Sequence, residues 1–200
     1  LSNMVAWLGQ AGFQAGQTVV IQGPGHMGLT CAAYAKSLGA DKVIVTGTSD
    51  DALRLDVALK VGADHVIDVM VDDPVDAVMD LTGGFGASLA VDLASAPGTP
   101  SLCFDLVHHR ATVIWAGLKD RQAVPVVTDK VVMKGLRVLG GAGGDAGSVD
   151  EAARILNEGG FPTDPLLGAV VGLDEIDRAM ALLHRDGDED AVRAVLRHEH

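Results

Sequence analysis

The sequence has few cysteines, few basic residues and no long apolar run, and each shortage excludes a class of protein. Only Cys31 and Cys103 occur in 200 residues, and their apolar surroundings predict buried free thiols in a reducing cytoplasm rather than a disulfide or a pair of ligands. The 15 Lys and Arg residues are scattered among 27 Asp and Glu, giving a net charge of −12, which argues against nucleic acid as a partner. No apolar stretch approaches the roughly 18 residues that a membrane span needs, so we expect no membrane partner.

The beginning of the chain resembles neither a targeting segment nor a natural start. No charged and apolar leader typical of a signal peptide is present, and the first residue is Leu1, inside a stretch with the pattern of a helix. With 48% hydrophobic residues and a length that can bury a substantial core, the sequence predicts a soluble globular protein of the cytoplasm. The start at Leu1 predicts a piece of a longer chain.

A glycine-rich hexapeptide is the most informative motif of the sequence. It consists of Gly23, Pro24, Gly25, His26, Met27 and Gly28. A β-branched run precedes it and a helix-compatible segment follows, which is the context that a dinucleotide fingerprint requires. In that fingerprint the first glycine permits a tight turn, the second lets a pyrophosphate approach the backbone, and the third lets helix and strand pack closely. The N–H groups that open the helix would then face the phosphates.

The rest of the chain alternates strand and helix patterns. Strands are predicted at residues 18–22, 42–46, 65–68, 89–93, 112–116 and 136–139, with helices between them. Because these strands are near-continuous apolar runs, they predict a parallel sheet covered on both faces, in the doubly wound Rossmann order 3-2-1-4-5-6. We therefore predict a cofactor-binding domain at residues 1–140 and, after a glycine-rich stretch, a C-terminal segment of helices and short strands at residues 141–200.

The combined motifs resemble the medium-chain dehydrogenase/reductase superfamily, in its zinc-type alcohol and polyol dehydrogenase branch. The matching stretches are residues 15–25, 59–64, 81–84, 114–118 and 191–196. The resemblance implies a Rossmann domain that binds NAD or NADP and a return segment that packs against a GroES-like catalytic domain. That domain, with the zinc ligands, is expected before Leu1, because this chain has no cysteine cluster like the family's structural zinc site.

The resemblance also implies positions for parts of the cofactor. The turn residues would line the pyrophosphate and the start of the nicotinamide site, with Met27 packing on the nicotinamide ring. Ala94 would lie beside the adenine, and Gly117 and Leu118 would lie near the nicotinamide ribose.

Two basic side chains near these positions have both a binding and a simpler explanation. Arg193 matches an arginine that contacts the pyrophosphate, whereas an ordinary surface charge at a strand end would explain it equally well. His26 could hydrogen-bond a phosphate, but a solvent-facing position within the turn is favoured.

The end of the second strand departs from the pattern for NAD. An acidic residue about 20 positions after the glycine motif normally binds the ribose 2′-hydroxyl, and here that place holds Gly47. Thr48, Ser49 and Arg54 could supply hydrogen bonds or charge to a 2′-phosphate, which favours NADP over NAD. Two neighbouring aspartates, and the alternative that Arg54 faces solvent, argue the other way.

The family implies an oxidoreductase that moves a hydride between the nicotinamide and a small alcohol, polyol or carbonyl substrate. Zinc in the preceding domain would polarise the substrate oxygen, so the chain alone is expected to bind the dinucleotide without catalysing the reaction. Two alternatives stay open: a non-catalytic dinucleotide-binding module, since a fold does not fix a function, and the cofactor domain of a zinc-free quinone reductase. Residues 161–200 favour the dehydrogenase because they resemble its return segment.

Two groups that look like catalytic or metal sites have simpler explanations. Asp92, at a strand end, matches a structural acid of the family rather than a general base. His108 and His109, predicted at the end of a helix, would point about 100° apart. No metal site is therefore predicted in this chain.

The last strand of the predicted sheet, which begins at Leu136 and ends at Leu139, is an apolar edge. Members of the family commonly dimerise by pairing this strand across a two-fold axis. Because an unpaired edge strand invites association, we predict a homodimer through this edge.

Overall fold

The computed structural model describes residues 1–184 and 190–198, and its main feature is a parallel sheet of six strands. The strands are β1 (Thr18–Gln22), β2 (Lys42–Gly47), β3 (His65–Asp68), β4 (Ala87–Asp92), β5 (Val107–Trp115) and β6 (Arg137–Gly140). Their order, β3-β2-β1-β4-β5-β6, confirms the predicted Rossmann topology. Because the order reverses between β1 and β4, the carboxyl ends of these strands border a crevice.

Helices surround the sheet because its strands are apolar on both faces. They are α1 (Ser2–Ala11), α2 (His26–Ser37), α3 (Ala52–Lys60), α4 (Pro74–Leu81), α5 (Thr99–Leu106) and α6 (Thr128–Lys134). In β1, Val19 and Ile21 belong to one apolar cluster and Val20 to a second, as expected for a strand buried on both sides. No helix within the described ranges combines the length and apolarity needed to cross a bilayer.

The two cysteines lie in these clusters as free thiols, as the sequence predicted. Cys31 is in α2 and Cys103 is in α5, and both are fully buried. Burial raises the pKa of the Cys31 thiol to about 12 and also raises the pKa of Cys103. Both thiols therefore stay protonated at neutral pH and act as small apolar side chains.

The boundary between α5 and β5 differs from the prediction. The helix ends at Leu106 and the strand begins at Val107, so His108 and His109 lie on a strand rather than at the end of a helix. The chain turns through a positive φ of 64° at Arg110, where the sequence offers no glycine to signal the change. Within the described residues no three His, Cys, Asp or Glu side chains lie close enough together to hold a metal ion.

The C-terminal segment packs against the helices that cover the sheet. It contains α7 (Ala146–Glu158), α8 (Asp164–Leu167), β7 (Ala169–Gly172), α9 (Ile176–His184) and β8 (Ala194–Arg197). The strands β7 and β8 pair in parallel, and α9 packs on both of them, which makes a β-α-β unit. Helix α7 packs against α1. The glycine-rich stretch before α7 is held by α1, because the Trp7 indole N–H donates to the Ala142 carbonyl and the Gly144 N–H donates to Asn3.

Candidate functional site

The turn after β1 is built from glycines that have no room for a side chain. Gly23 has a φ of 100°, and a Cβ there would lie 2.9 Å from the Ala94 nitrogen. A Cβ on Gly28 would lie 2.0 Å from the Gly23 carbonyl oxygen. These two glycines therefore let the turn pass between the ends of β1 and β4 and let α2 start directly against it, as the fingerprint requires.

Gly25 differs from the other two because the space over it is open. No heavy atom outside Gly25 and its two chain neighbours lies within 4 Å of the position that its Cβ would take, and its backbone is in the extended region. Gly25 is also the N-cap residue of α2, and no side chain caps this helix end. The first N–H groups of a helix have no intrahelical acceptor, so the opening over Gly25 can take an anionic group.

His26 follows Gly25 and is exposed, and the charge of Arg193 acts on it from a distant part of the chain. His26 is the first residue of α2. Partial burial lowers the pKa of its imidazole, and the positive charge of Arg193 lowers that pKa further. The positive charge of Arg193, just before β8, therefore acts on the start of α2.

A narrow apolar slot and an open cleft adjoin the turn. The slot has a volume of about 120 Å³ and reaches between β1, β2 and α5. The cleft, of about 500 Å³, extends over the turn. The slot is also lined by Gly47, and the cleft by Gly25. The two cavities share the lining residues Gly23, Pro24, Thr48, Asp51, Ala94 and Ala96. A flat apolar ring fits the slot, and a polar sugar and phosphate fit the cleft.

At the end of β2, Thr48 and Ser49 are engaged by carboxylates. The Thr48 N–H and hydroxyl both donate to the Asp51 carboxylate at 3.0 Å, closing a 3₁₀ turn (Ser49–Asp51). The Ser49 hydroxyl donates to Asp68, at the end of β3, at 2.5 Å. The polar groups predicted for a 2′-phosphate are thus surrounded by negative charge.

Arg54 lies on α3 and is neither solvent-facing nor part of the slot or the cleft. Its side chain is buried, with a relative exposure of 5% for the residue. The guanidinium forms an ion pair with Asp190 at 2.8 Å, donates to the Ala191 carbonyl at 2.7 Å, and lies 4.0 Å from Asp51. Of the two interpretations considered for Arg54, the solvent-facing one is wrong, because the C-terminal segment covers it.

Asp92 is held at the end of β4 by an ion pair that the sequence did not reveal. Its carboxylate is fully buried and lies 3.0 Å from the Lys119 ammonium, which also donates to the Ala94 carbonyl and to Thr99. Burial raises the pKa of Asp92, while hydrogen bonds from Lys119 and Thr99 offset part of that shift. The acid thus holds the loop after β5 against the end of β4, in keeping with a structural role.

The loop after β5 brings two further predicted residues to the crevice. A Cβ on Gly117 would lie 2.2 Å from the Ala94 carbonyl oxygen, so only glycine lets the loops after β4 and β5 approach this closely. Leu118 follows with 85% of its surface exposed. Met27, on the first turn of α2, packs partly against the core. Neither Leu118 nor Met27 lines the slot or the cleft.

A protein-family model described as "Zinc-binding dehydrogenase" matches residues 27–158 of this chain. The chain belongs to the zinc-binding dehydrogenase family. This confirms the resemblance that the glycine turn and its surroundings indicated, and the matched residues extend from the first turn of α2 to the end of α7.

Known proteins are similar to this chain in sequence and in fold. The chain is 39% identical over 178 residues to a "Probable alcohol dehydrogenase adh" of Mycobacterium tuberculosis (strain H37Rv), covering 86% of this chain and 48% of that protein. It is 30% identical to a "Sorbitol dehydrogenase" of Halalkalibacterium halodurans, covering 90% and 52%. An "Alcohol dehydrogenase zinc-binding domain protein" from Burkholderia ambifaria superposes with a TM-score of 0.87 at 24% identity, covering 100% of this chain and 53% of that chain. The chain therefore spans about half the length of the curated relatives it matches.

For this zinc-binding dehydrogenase chain, the sequence identified the glycine turn but missed two side chains near it. Lys119 and Asp190 reach the border of the site through contacts that no local motif signals. Asp51 is one of the two aspartates that argued against NADP, and it stands three residues after Thr48, the spacing of a capping box.

Proposed function

We propose that this chain is the cofactor-binding part of a zinc-dependent alcohol or polyol dehydrogenase, and that its turn and cleft bind a nicotinamide dinucleotide. The observation that carries the proposal is the contrast within the fingerprint. Gly23 and Gly28 are glycines because the protein fills the space beside them, whereas the space over Gly25 is open. The fold needs no glycine at this second glycine position of the fingerprint, but an approaching pyrophosphate does.

The surroundings of Gly25 support the same ligand. The uncapped start of α2 and the positive charge of Arg193 favour an anion. The apolar slot beside Ala94 suits an adenine ring, and the open cleft between slot and turn suits the ribose and the phosphates. Gly117, which lies against Ala94, and Leu118 would lie towards the nicotinamide end in this proposal.

The chemistry would be divided between the two halves of the complete enzyme. Bound nicotinamide would supply the hydride acceptor, and zinc in a preceding domain would polarise the oxygen of a small alcohol or carbonyl substrate. The residues of this chain bind and orient the dinucleotide. We propose that the chain alone is catalytically silent, and the cytoplasmic location inferred from its free thiols stays a prediction.

Two other functions compete with this one. A non-catalytic dinucleotide-binding module would use the same turn, and a zinc-free quinone reductase would use the same fold. The family match and the similarity to alcohol and sorbitol dehydrogenases support the zinc-dependent dehydrogenase.

Gly25→Ala tests the proposal because it alters binding without altering the fold. Its methyl group meets no protein atom within 4 Å, so we expect unchanged thermal stability but at least about tenfold weaker binding of NAD and of NADP by calorimetric titration. Gly9→Ala, on the exposed surface of α1 and equally unhindered, is the matched control and should bind like the unmodified chain.

Two results would refute the proposal. One is the absence of measurable binding of either dinucleotide to the unmodified chain. The other is turnover of simple alcohols by the chain freed of full-length enzyme, which would place the catalytic groups within it.

A further inference from the structure

The polar groups at the end of β2 already interact with carboxylates. Thr48 donates twice to Asp51 at 3.0 Å, and Ser49 donates to Asp68 at 2.5 Å. A 2′-phosphate placed here would have to compete with these carboxylates for the same donors. It would also meet their negative charge at short range.

The nearest guanidinium is held by the C-terminal segment. Arg54 is buried, and its two terminal nitrogens contact the Asp190 carboxylate at 2.8 and 3.0 Å. The Asp51 and Asp190 carboxylates thus lie against this guanidinium, and Asp68, which accepts from Ser49, adds a third carboxylate at this end of the sheet. The electrostatic balance at this end of the sheet is negative, which disfavours a second phosphate group.

The position that usually carries the ribose-binding acid cannot do so here. A Cβ on Gly47 would lie 2.8 Å from the Pro24 Cγ and 3.0 Å from a Leu55 methyl carbon. The proline of the glycine turn therefore occupies the room that an acidic side chain at the strand end would need. An acid can reach the cleft only from a later position in the chain.

Asp51 provides that acid. It lines both the apolar slot and the open cleft, beside Pro24, Thr48 and Ala94. The 3₁₀ turn that its carboxylate closes with Thr48 fixes it at this border. Its position, between an adenine-sized slot and the opening over the glycine turn, is that of the adenosine ribose.

We infer that Asp51 determines the cofactor preference of this chain, by favouring the ribose 2′-hydroxyl of NAD and repelling the 2′-phosphate of NADP. The inference rests on the proposed function and replaces the preference for NADP that Gly47 alone suggested. Gly47 occupies the usual position of the ribose-binding acid, and Asp51, four residues later, supplies a carboxylate to the same cleft instead.

Calorimetric titration of NAD and NADP against the unmodified chain, Asp51→Asn and Asp50→Asn tests the inference. Asparagine keeps an oxygen that can accept the Thr48 hydrogen bonds, so the substitution removes charge while keeping the turn. Asp50 lies in the same 3₁₀ turn but is exposed and lines neither cavity, which makes it the matched control for charge.

We expect the unmodified chain to bind NAD at least about tenfold more tightly than NADP. Asp51→Asn should reduce that ratio about fivefold or more by tightening NADP binding, and Asp50→Asn should leave it nearly unchanged. Competition by AMP and by adenosine 2′,5′-bisphosphate on the unmodified chain gives the same comparison without a variant. AMP should be the tighter competitor.

The outcomes separate this inference from the proposed function. If neither dinucleotide binds, the proposed function fails. If both bind but NADP binds as tightly as NAD, or adenosine 2′,5′-bisphosphate competes better than AMP, the function stands and the inference is overturned. An Asp51→Asn variant that folds and keeps the same ratio as Asp50→Asn overturns it too.

Discussion

Asp92 and Lys119 form an ion pair in which burial and charge oppose each other. The carboxylate is fully buried and the ammonium nearly so. Burial raises the pKa of Asp92 above its ordinary value even though Lys119 and Thr99 donate hydrogen bonds to it. Because the folded pKa exceeds the unfolded one, the stabilising contribution of Asp92 is complete below the unfolded pKa and is lost as the pH rises through the folded pKa.

Lys119→Met should therefore destabilise the chain in a pH-dependent way. Without the ammonium the pKa of Asp92 rises further, so the buried acid must stay protonated or ionise without a partner. We expect a loss of about 3–5 kcal/mol in the free energy of unfolding near neutral pH and a smaller loss near pH 5. Urea unfolding at both pH values measures the difference.

Lys130→Met is the control, because its pair with Asp105 is about one-third exposed on both sides. It should cost less than about 1 kcal/mol at either pH. An equal cost of Lys119→Met at both pH values would contradict the assignment of Asp92 as a buried acid that depends on this lysine.

At the scale of elements, the C-terminal segment docks on α3 through Arg54. The guanidinium is 6% exposed as a side chain, and the Asp190 carboxylate that it contacts is 33% exposed. Removing a buried partner leaves the other group uncompensated, although the partial exposure of Asp190 lets water replace some of the lost contact. The pair therefore adds a polar contact to the apolar packing of Phe161, Leu166 and Val192 in the core beside the sheet.

Arg54→Met should loosen this docking. We expect a loss of about 1–3 kcal/mol in the free energy of unfolding and faster proteolysis of the C-terminal segment, followed by mass spectrometry. Arg178→Met removes the exposed contact of α9 with Glu175 and should leave both measurements nearly unchanged. Equal proteolysis rates for Arg54→Met and the unmodified chain would show that the segment docks without this pair.

The elements themselves were predictable where their signals are local. β1 is an apolar run that a glycine turn follows directly. The segments after it continue to alternate strand and helix patterns, and this alternation predicted a parallel sheet and the order of its strands. The boundary at Val107 was missed because the turn at Arg110 uses a positive φ without a glycine.

The site was only partly predictable for a related reason. Arg54 meets Asp190 across 136 positions of sequence, and pairing at that separation depends on the finished fold.

At the scale of the whole molecule, the sheet has two edge strands, β3 and β6. Helix α6, which precedes β6, exposes Val132 and Met133 at 78% and 77%. An edge strand flanked by exposed apolar side chains is a surface that association would cover. The homodimer predicted through Leu136 to Leu139 uses this edge.

Backbone direction identifies which N–H groups such a dimer would use. The Gly141 N–H donates to the Trp115 carbonyl of β5. Since N–H groups alternate in direction along a strand, that of Gly140 points away from β5, towards the open edge. A Cβ at Gly140 meets no atom within 4 Å, so a substitution there can remove the outward donor while leaving the ladder to β5 in place.

Gly140→Pro should therefore convert a dimer into a folded monomer. We expect light scattering at micromolar concentration to give about twice the chain mass of 20.6 kDa for the unmodified protein and the single chain mass for the variant, because proline cannot donate to a partner strand. Gly143→Pro, at a position where a Cβ is equally unhindered but outside the strand, should stay dimeric. A monomeric unmodified chain, or a Gly140→Pro variant as dimeric as Gly143→Pro, would contradict pairing through β6. In the second case the alternative dimer surface is the apolar face of α9 and β7, where Leu183 and Val170 are exposed.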